Sequence, residues 1–301
     1  SIVALHQTPI WVYFPTRDMT ELPFLIHGSF ETEVSREKLM TVSGFNEDLF
    51  AALGDLIADA MDDLAARKLI SQDFLRSVVM CAFDAENEMP MGLKDKITKK
   101  FREARIVPDA KRNYYKAAEL ALAVPHGIAG FRETSLWEES FKDVPPFVAV
   151  PGEHEAKFNP YFLWLKDDLG IRLFDLSDWA KKLCELPERR LVFDEEDDNT
   201  EEKESAKEEL MKMYDFLLKQ WDDKNIGNTP YRAAVYECSD TAWEHLRKAP
   251  LVLNMENTLS AAWKNEEAVL YLEAENKYHK LAESVLVHAE MAGSYGRLFE
   301  G

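Results

Sequence analysis

Apolar and polar residues alternate along two stretches near the start of the chain. Residues 10–16 form an aromatic and β-branched run that ends around Pro15, and residues 22–30 alternate apolar with polar side chains. Both patterns are typical of β-strands. The two strands could pair as a hairpin across a loop that contains Arg17 and Asp18, or lie parallel, and Gly28 allows a bend in the second. The pattern predicts a small β-sheet at the N-terminus.

The next long segment has apolar residues every three or four positions, which is the spacing of one helix face. Asn46 is the predicted N-cap, and Glu47 and Asp48 then favour the positive end of the helix dipole. The apolar stripe consists of Leu49, Leu53, Leu56, Ile57, Ala60, Met61 and Leu64. The opposite face carries four aspartates, which we interpret as a solvated surface rather than a metal site: Asp55, Asp59, Asp62 and Asp63.

Other segments with helical periodicity follow. Ser71 is the predicted cap of a helix that reaches about residue 83, and a basic helix over 92–103 is expected to pair with the acidic helix face. Further helices are predicted at about 136–137, 159–165, 178–186, 210–221, 240–246 and 275–291. Ser177 or Asp178 is the expected cap of the helix that Pro187 ends. Helices therefore predominate, and the predicted fold class is α+β, mostly α, with small sheets packed by long helices.

Two stretches of the chain share a similar pattern. Residues 106–120 and 251–263 each combine a short strand, a turn and a second strand, and each follows a helix that ends in basic residues. This predicts a weak internal repeat of helices followed by a β-turn-β unit. The predicted domains are 1–103 with the strand pair and its helices, a mixed module at 104–193, an acidic linker or loop at 194–209, and a second helix plus β-turn-β module at 210–301.

Composition limits the classes of partner. The 301-residue chain has 46% hydrophobic residues, enough for a folded core, and a net charge of −19, which disfavours nucleic acid as a partner. No apolar run approaches the roughly 20 residues that span a bilayer, so no membrane partner is expected. Three cysteines without a CxxC pair indicate a reduced, cytoplasmic compartment. A start at Ser1, within a strand-like run, predicts that the chain is part of a longer protein.

Motifs of self-contained catalysis are missing from the sequence. It contains no P-loop, no GxGxxG, no HExxH and no GxSxG. Residues 153–155, Glu-His-Glu, lack a second histidine for a metal site, and Cys238 and His245 would need contact and a third orienting group to act as a catalytic pair. We interpret His27 as a packed or capped histidine and His126 as a turn residue. No catalytic activity, cofactor site or metal site is therefore expected from this chain alone.

One stretch resembles a known family. Val34-Ser35-Arg36-Glu37-Lys38-Leu39 follows an apolar strand and precedes a long helix. In this it resembles the Ser-Arg-Glu-x-Leu segment at a strand-to-helix junction in the middle domain of the ninety-kilodalton heat-shock chaperones. The wider run is similar to the segment after the ATP-binding domain in sacsin and related bacterial GHKL ATPases: Phe14-Pro15-Thr16, then Leu22-Pro23-Phe24-x-Ile26-x-Gly28-x-Phe30, and Ser35-Arg36. The likeness covers residues 10–65 and extends more weakly to the later helix plus β-turn-β units.

The resemblance implies a role for Arg36. In that family an arginine of the middle domain reaches the γ-phosphate of ATP held by a separate N-terminal domain, and a guanidinium there stabilises developing phosphoryl charge. ATP and Mg would belong to that domain, because its nucleotide-binding boxes do not occur in these residues. The partners implied are this ATP-binding domain and an unidentified protein client. The chaperone segment has Gln four residues after the arginine, whereas this chain has Met40.

Two other hypotheses stay open from the sequence. The chain could be a helical protein-interaction module of a bacterial regulatory or defence protein, with Arg36 in a surface salt bridge of its own domain. It could also be an independent hydrolase, which would need a polar cleft around His154 or Cys238. The contacts of the Arg36 side chain distinguish the first of these from the coupling role.

Overall fold

The computed structural model describes residues 8–20, 25–71, 74–75, 93–148, 160–191, 200–226, 240–264 and 267–268. Within these residues helices predominate over short strands in sheets of two or three, so the fold is α+β, mostly α, as predicted. The chain forms two compact units, one of Ser1–Leu122 with Pro145–Leu173 and one of Ala123–Val144 with Phe174–Gly301. Residues 104–193, expected as one module, are thus divided between the units. None of the described helices is long and apolar enough to cross a membrane.

The first unit begins with a small sheet. Strand β1 (Thr8–Trp11) pairs antiparallel with β2 (Pro15–Thr20), and residues 12–14 form the tip between them. The prediction of one strand over residues 10–16 was therefore wrong. Two hydrogen bonds stabilise the turn at the tip. Val12 N donates to Phe14 O at 3.1 Å, and the buried Thr16 Oγ1 donates to Ile10 O at 2.9 Å.

The second predicted strand lies beside β1 in parallel orientation. Trp11 N donates to Ile26 O at 2.9 Å, and Gly28 N donates to Trp11 O at 3.0 Å. Of the two arrangements left open by the sequence, the parallel one is therefore present at residues 26–28. Phe30 then packs against Phe50, with 4.9 Å between the ring centroids and 34° between the ring planes.

Helix α1 (Gly44–Ala66) packs one face into the core of the first unit, but this face is not the predicted apolar stripe. Of that stripe only Ile57 and Met61 are buried, whereas Leu56 and Ala60 are exposed and the other three leucines are half-buried. Its N-cap is Ser43, whose Oγ accepts the N–H of Asn46 at 3.1 Å, so the prediction that Asn46 caps the helix was wrong. Asn46 instead lies buried in the first turn, where its side chain accepts from Glu31 N at 2.8 Å and donates to Glu31 O at 2.9 Å. The buried face consists of Asn46, Phe50, Gly54, Ile57, Met61 and Ala65.

The basic helix α2 (Leu93–Glu103) contacts α1 through charge. Lys100 Nζ lies 2.6 Å from Asp62 Oδ2, which confirms the predicted pairing of this helix with the acidic face. Phe101 is buried edge-on against Trp164, which follows the short helix α3 (Pro160–Leu163) in a π turn over Trp164–Asp168. Ser71 accepts the N–H of Phe74 at 3.1 Å, as predicted, and the rest of that helix lies outside the described residues.

The first unit also contains a hairpin of β3 (Val107–Pro108) and β4 (Tyr114–Tyr115). A 3₁₀ turn over Ala117–Glu119 and strand β5 (Ala121–Val124) follow. Residues 147–148, predicted as strand, make single bridges to Asp109 and Ala121. The division between the two units falls within β5 and within β6 (Arg172–Asp175).

The core of the second unit is aromatic. Helix α4 (Leu176–Cys184) is capped by Asp175, whose carboxylate accepts from Asp178 N at 2.9 Å, so Ser177 and Asp178 are not the cap. Trp179 is fully buried and donates from Nε1 to Ser140 Oγ at 3.0 Å. Its ring contacts three phenylalanines at centroid distances of 5.0 to 6.0 Å: Phe131, Phe141 and Phe216. The 3₁₀ segments His126–Glu133 and Glu138–Phe141 supply the first two.

The rest of the second unit combines two helices with a three-stranded sheet. Helix α5 (Thr200–Ile226) buries Leu210, Met213, Tyr214 and Leu217, as predicted for an amphipathic helix. The predicted acidic linker at 194–209 is therefore helical from Thr200. Helix α6 (Asp240–Lys248) leads into β8 (Pro250–Leu253), β9 (Thr258–Ala261) and the short pair β10 (Trp263–Lys264) and β11 (Glu267–Ala268). Strand β9 lies between β8 and β7 (Arg189–Arg190).

The predicted repeat of the hairpin is present in both units. Val107 faces Tyr115 in the first hairpin and Val252 faces Ser260 in the second, so equivalent residues are 145 positions apart and the register is the same. In each hairpin a side-chain oxygen at the start of the turn accepts two backbone N–H groups. Asp109 accepts from Lys111 and Asn113, both at 2.8 Å, and Asn254 accepts from Glu256 and Thr258 at 3.0 and 2.9 Å.

Candidate functional site

The segment around Arg36 is a tight hairpin. Thr32 bridges Leu39, Met40 N donates to Glu31 O at 2.9 Å, and Glu33 N donates to Lys38 O at 2.9 Å. Residues 34–37 form the turn between these two short arms. The predicted strand-to-helix junction was therefore wrong in its detail, because the chain doubles back after Glu33 and α1 begins only at Gly44.

The backbone of Arg36 adopts a left-handed conformation. Its φ is 60°, a region that side chains other than Gly, Asn and Asp rarely occupy and that costs roughly 1–2 kcal/mol. Arg36 N donates to Glu33 O at 2.8 Å, and Ser35 Oγ accepts the N–H of Glu37 at 3.3 Å. These bonds close the turn and fix where the Arg36 side chain leaves the backbone.

The turn is held against strand β2. Arg17 N donates to Glu37 O at 2.6 Å, the Arg17 guanidinium lies 3.2 Å from the Glu37 carboxylate, and Leu39 N donates to Asp18 Oδ2 at 2.5 Å. The N–H groups of Arg17 and Leu39 gain hydrogen-bond partners through these contacts. These hydrogen bonds therefore order the turn more effectively than the exposed Arg17–Glu37 ion pair, whose contribution to stability is small. Arg36 therefore stands on a fixed support.

The Arg36 side chain is exposed. Among the described residues, no carboxylate or carbonyl pairs with its guanidinium, whereas the neighbouring Arg17 pairs with Glu37. A salt bridge within its own unit, the arrangement expected for a purely structural arginine, is therefore not made within the described part of the chain. A planar guanidinium with five N–H donors and no partner can bind a phosphate or carboxylate through two parallel hydrogen bonds.

The Arg36 turn and the β1–β2 tip lie at the same end of the small sheet. Glu37 is hydrogen-bonded to Arg17, close to the tip, and Leu39 is hydrogen-bonded to Asp18, one residue further along β2. The chain from Glu37 to Leu39 therefore runs away from the tip, and residues 34–36 lie on the tip side of these contacts. Tyr13 and Phe14 at the tip are 81% and 63% exposed, and Val34 in the turn is fully exposed. The end of the sheet therefore presents apolar side chains together with the Arg36 guanidinium, which has no partner among the described residues.

The chemistry available at this site is binding and electrostatic stabilisation. Met40, at the position where the chaperones have Gln, is partly exposed and offers no hydrogen-bond donor. Within the described residues, no three His, Cys, Asp or Glu side chains are arranged to hold a metal ion. The arrangement around Arg36 offers a cation to an anionic group.

The other residues considered from the sequence are placed as follows. His27 is exposed, so of the two alternatives, a packed or a capped histidine, the packed one was wrong. His245 is bonded through Nδ1 to Thr241 O at 2.6 Å, and Cys184 Sγ donates to His245 O at 3.0 Å. Partial burial of the Cys184 thiol raises its pKa. Cys81, residues 153–155 and Cys238 lie outside the described residues, as does the side chain of His126.

Sequence reasoning missed the residues that support Arg36. Arg17 and Asp18 were assigned to a loop, yet they lie in β2 and fix the turn. The available signal was the pair of β-branched residues Thr16 and Thr20 that flank them, since threonine favours strands. In comparisons with known proteins, no protein-family model, curated protein or solved structure matches the chain.

Proposed function

We propose that this chain is the middle, coupling region of a larger GHKL-type ATPase and that Arg36 contacts the γ-phosphate of ATP held by a separate N-terminal domain. The observation that carries the proposal is the Arg36 guanidinium, which is exposed, lacks a partner among the described residues and stands on a turn fixed by β2. The resemblance of the Val34–Leu39 stretch to the chaperone segment supports the same assignment.

The physical case rests on preorganisation. A guanidinium stabilises a phosphoryl-transfer transition state most when it is positioned before the charge develops, because no reorganisation is then needed. The bonds from Arg17 and Asp18 to the turn supply that positioning here. Supplying the cation from a second domain makes turnover depend on domain docking, which is how such a region would link the state of the nucleotide to a client protein.

This role divides the chemistry between two parts of the larger protein. ATP and Mg would be bound by the N-terminal domain, and this chain would bind no nucleotide by itself. The proposed setting is the cytoplasm, where a γ-phosphate donor and reduced thiols are available. The client would bind elsewhere on the larger protein or on the helical parts of this chain.

Substitution of Arg36 in the full-length protein tests the proposal. Arg36→Gly removes the cation and suits the left-handed backbone, so the turn is expected to fold as before. We expect kcat for ATP hydrolysis to fall about 100-fold or more, the size of effect seen when one charge-stabilising group is removed. Arg36→Lys keeps the charge but loses the planar fork, and should recover only part of the rate.

Arg112 offers a matched control. It is also an exposed arginine with a φ of 60°, at the turn of the β3–β4 hairpin. Arg112→Gly should leave ATP turnover within about twofold of the parent protein, because its guanidinium is assigned no catalytic role. Equal turnover in the Arg36→Gly and Arg112→Gly proteins would refute the phosphate contact.

A second function is favoured by a separate observation. The exposed Tyr13, Phe14 and Val34 suit a helical protein-interaction module with no role in nucleotide turnover. Nucleotide binding separates the two proposals, since a protein that carries this chain and fails to bind ATP at millimolar concentration would retain only the interaction role. Nucleotide-binding motifs in another part of the proposed larger protein would favour the ATPase role.

A further inference from the structure

Helix α1 exposes a second apolar surface on the side away from its core. Phe45, Leu49, Ala52 and Leu56 recur at the spacing of one helix face, and we name these four residues the outer ridge. Phe45 is 51% exposed, Leu56 is 65% exposed, Ala52 is exposed and Leu49 is half-buried. The ridge runs for about 16 Å along the helix axis, at 1.5 Å per residue. On a helix packed against a core, most large apolar side chains face inward. The exposed outer ridge is therefore a candidate binding surface.

The outer ridge is bordered by carboxylates. Asp48, Asp55 and Asp59 are exposed and follow one another at helical spacing beside the ridge. Helix α1 contains six acidic residues and no lysine or arginine. The apolar contact surface therefore lies in a negative field that the helix itself does not neutralise.

The fold already uses this surface chemistry once. The basic helix α2 lies beside α1 with Lys100 paired to Asp62 at 2.6 Å, while its Phe101 is buried edge-on against Trp164. A helix that presents lysines to the aspartates and buries an apolar side chain in the core is thus accepted along one edge of α1. The outer ridge and its aspartates repeat the same combination of apolar and acidic groups on the solvent side.

We propose that the outer ridge of α1 is a docking surface for a basic amphipathic helix of a partner protein. The apolar face of that helix would cover Phe45, Ala52 and Leu56, and its flanking lysines or arginines would lie opposite Asp48 and Asp59. This is the helix-on-apolar-surface mode of recognition, with the charges setting specificity. A second copy of this chain fits less well, because it would bring the same carboxylates together, and an anionic lipid surface would be repelled.

The test uses the 301-residue chain and two fluorescently labelled helical peptides of 18 residues. One has leucine at every third or fourth position and lysine elsewhere, and the other has glutamate in place of each lysine. Fluorescence anisotropy should show saturable binding of the lysine peptide only. Leu56→Asp should raise the Kd of the lysine peptide about tenfold or more, because it removes the burial of one leucine side chain in the interface.

The design of Leu56→Asp separates docking from general attraction. The substitution adds a negative charge, so binding that depends only on the net charge of −19 would be unchanged or tighter, which would overturn the proposal. Leu163→Asp, at another exposed leucine, adds the same charge away from the ridge and should leave binding within about twofold. Phe45→Asp provides a second ridge variant if the circular dichroism of the first shows loss of helix.

Other occupants give distinct results. A dimer in sedimentation velocity that Leu56→Asp dissociates would assign the outer ridge to a second copy and overturn the proposal. Sedimentation of the chain with phosphatidylcholine vesicles, abolished by the same substitution, would assign it to lipid and also overturn the proposal. Equal binding of the lysine and glutamate peptides would remove the charge complementarity on which the assignment depends.

Discussion

In the described part of the chain, four residues other than glycine have a left-handed backbone, and three of them lie in turns discussed above. Arg36 and Arg112 have φ values of 60° and Asn257 has 57°. Asparagine tolerates this region because its short side chain can bond locally, whereas arginine has no such compensation. The two arginines are therefore held in place by their surroundings: the Glu33 and Arg17 contacts for Arg36, and the Asp109 turn for Arg112.

Position 28 requires glycine because the ring of Phe30 lies where a Cβ atom would be. A Cβ placed on Gly28 would lie 2.8 Å from the edge of the Phe30 ring, which is buried and packed at a tilt against Phe50. Gly28→Ala is expected to lower the free energy of unfolding by about 1–3 kcal/mol through overpacking. Urea denaturation measures this, with Gly44→Ala as the control because nothing lies within 4 Å of a Cβ at that site. Equal stability of the two variants would contradict the close contact.

The sequence allowed Arg36 to be identified as exposed, because polar residues surround it on both sides. Its left-handed backbone could not be predicted, since it results from pairing between Glu33 and Lys38 and from the contact with Arg17, both of which are set by the hairpin. The prediction of Asn46 as the N-cap of α1 failed for a similar reason. Ser43 and Asn46 are both good caps by residue type, and the bonds of Asn46 to Glu31 decide between them.

Strand β8 shows how an element of this fold protects an exposed edge. It lies at the edge of its three-stranded sheet, where backbone groups would otherwise be unpaired. The hydroxyl of Tyr214, on helix α5, donates to Leu251 O at 2.5 Å and accepts from Leu253 N at 3.3 Å. One buried phenol thus satisfies a carbonyl and an N–H of the same strand.

Tyr214→Phe should therefore be costly for so small a change. It leaves the Leu251 carbonyl and the Leu253 N–H without this partner in a buried site, which costs about 1–3 kcal/mol. Thermal unfolding followed by circular dichroism should show a lower Tm for this variant. Tyr13→Phe removes the hydroxyl from an exposed tyrosine and should leave Tm unchanged. A Tyr214→Phe protein as stable as the parent would show that water or another group takes over the two bonds.

Helices were easier to predict than strands for a physical reason. Helix α5 shows its 3.6-residue period in Leu210, Met213 and Leu217, all of which are buried. Strand β2 has the sequence Pro-Thr-Arg-Asp-Met-Thr, in which no apolar alternation exists. Its strand conformation depends on pairing with β1 and on Arg17 bonding to Glu37, and such contacts between distant residues leave no local pattern in the sequence.

At the scale of the whole molecule, the two units share one structural device. Both hairpins place an Asp or Asn side chain at the start of the turn and a left-handed residue three positions later. The sequences of the two turns have little identity, so the repeat was visible only as a pattern of helix, strand and turn. The partition of the chain between the units could not be predicted, because 123–144 and 145–173 belong to different units despite being adjacent.

The shared turn predicts matched effects in both units. Asp109→Ala and Asn254→Ala each remove an acceptor for two backbone N–H groups, and each should cost about 1–2 kcal/mol. Asp109→Asn should be nearly neutral, because Asn254 makes the same two bonds. The double alanine variant should show the sum of the single effects within about 0.5 kcal/mol, since the sites share no partner. Urea denaturation checks this, and a neutral Asp109→Ala would contradict the role of the side chain.

The left-handed backbone at Arg36 and Arg112 has a consequence for how the sequence can evolve. Glycine or asparagine would suit both positions better, so a library of variants selected only for folded protein should drift toward those residues at each site. If Arg36 contacts the γ-phosphate as proposed, a library selected for ATP turnover by the larger protein should keep arginine at position 36 and lose it at position 112. Deep sequencing of the two libraries would measure this difference, and identical drift at both positions would show that Arg36 is retained for no functional reason.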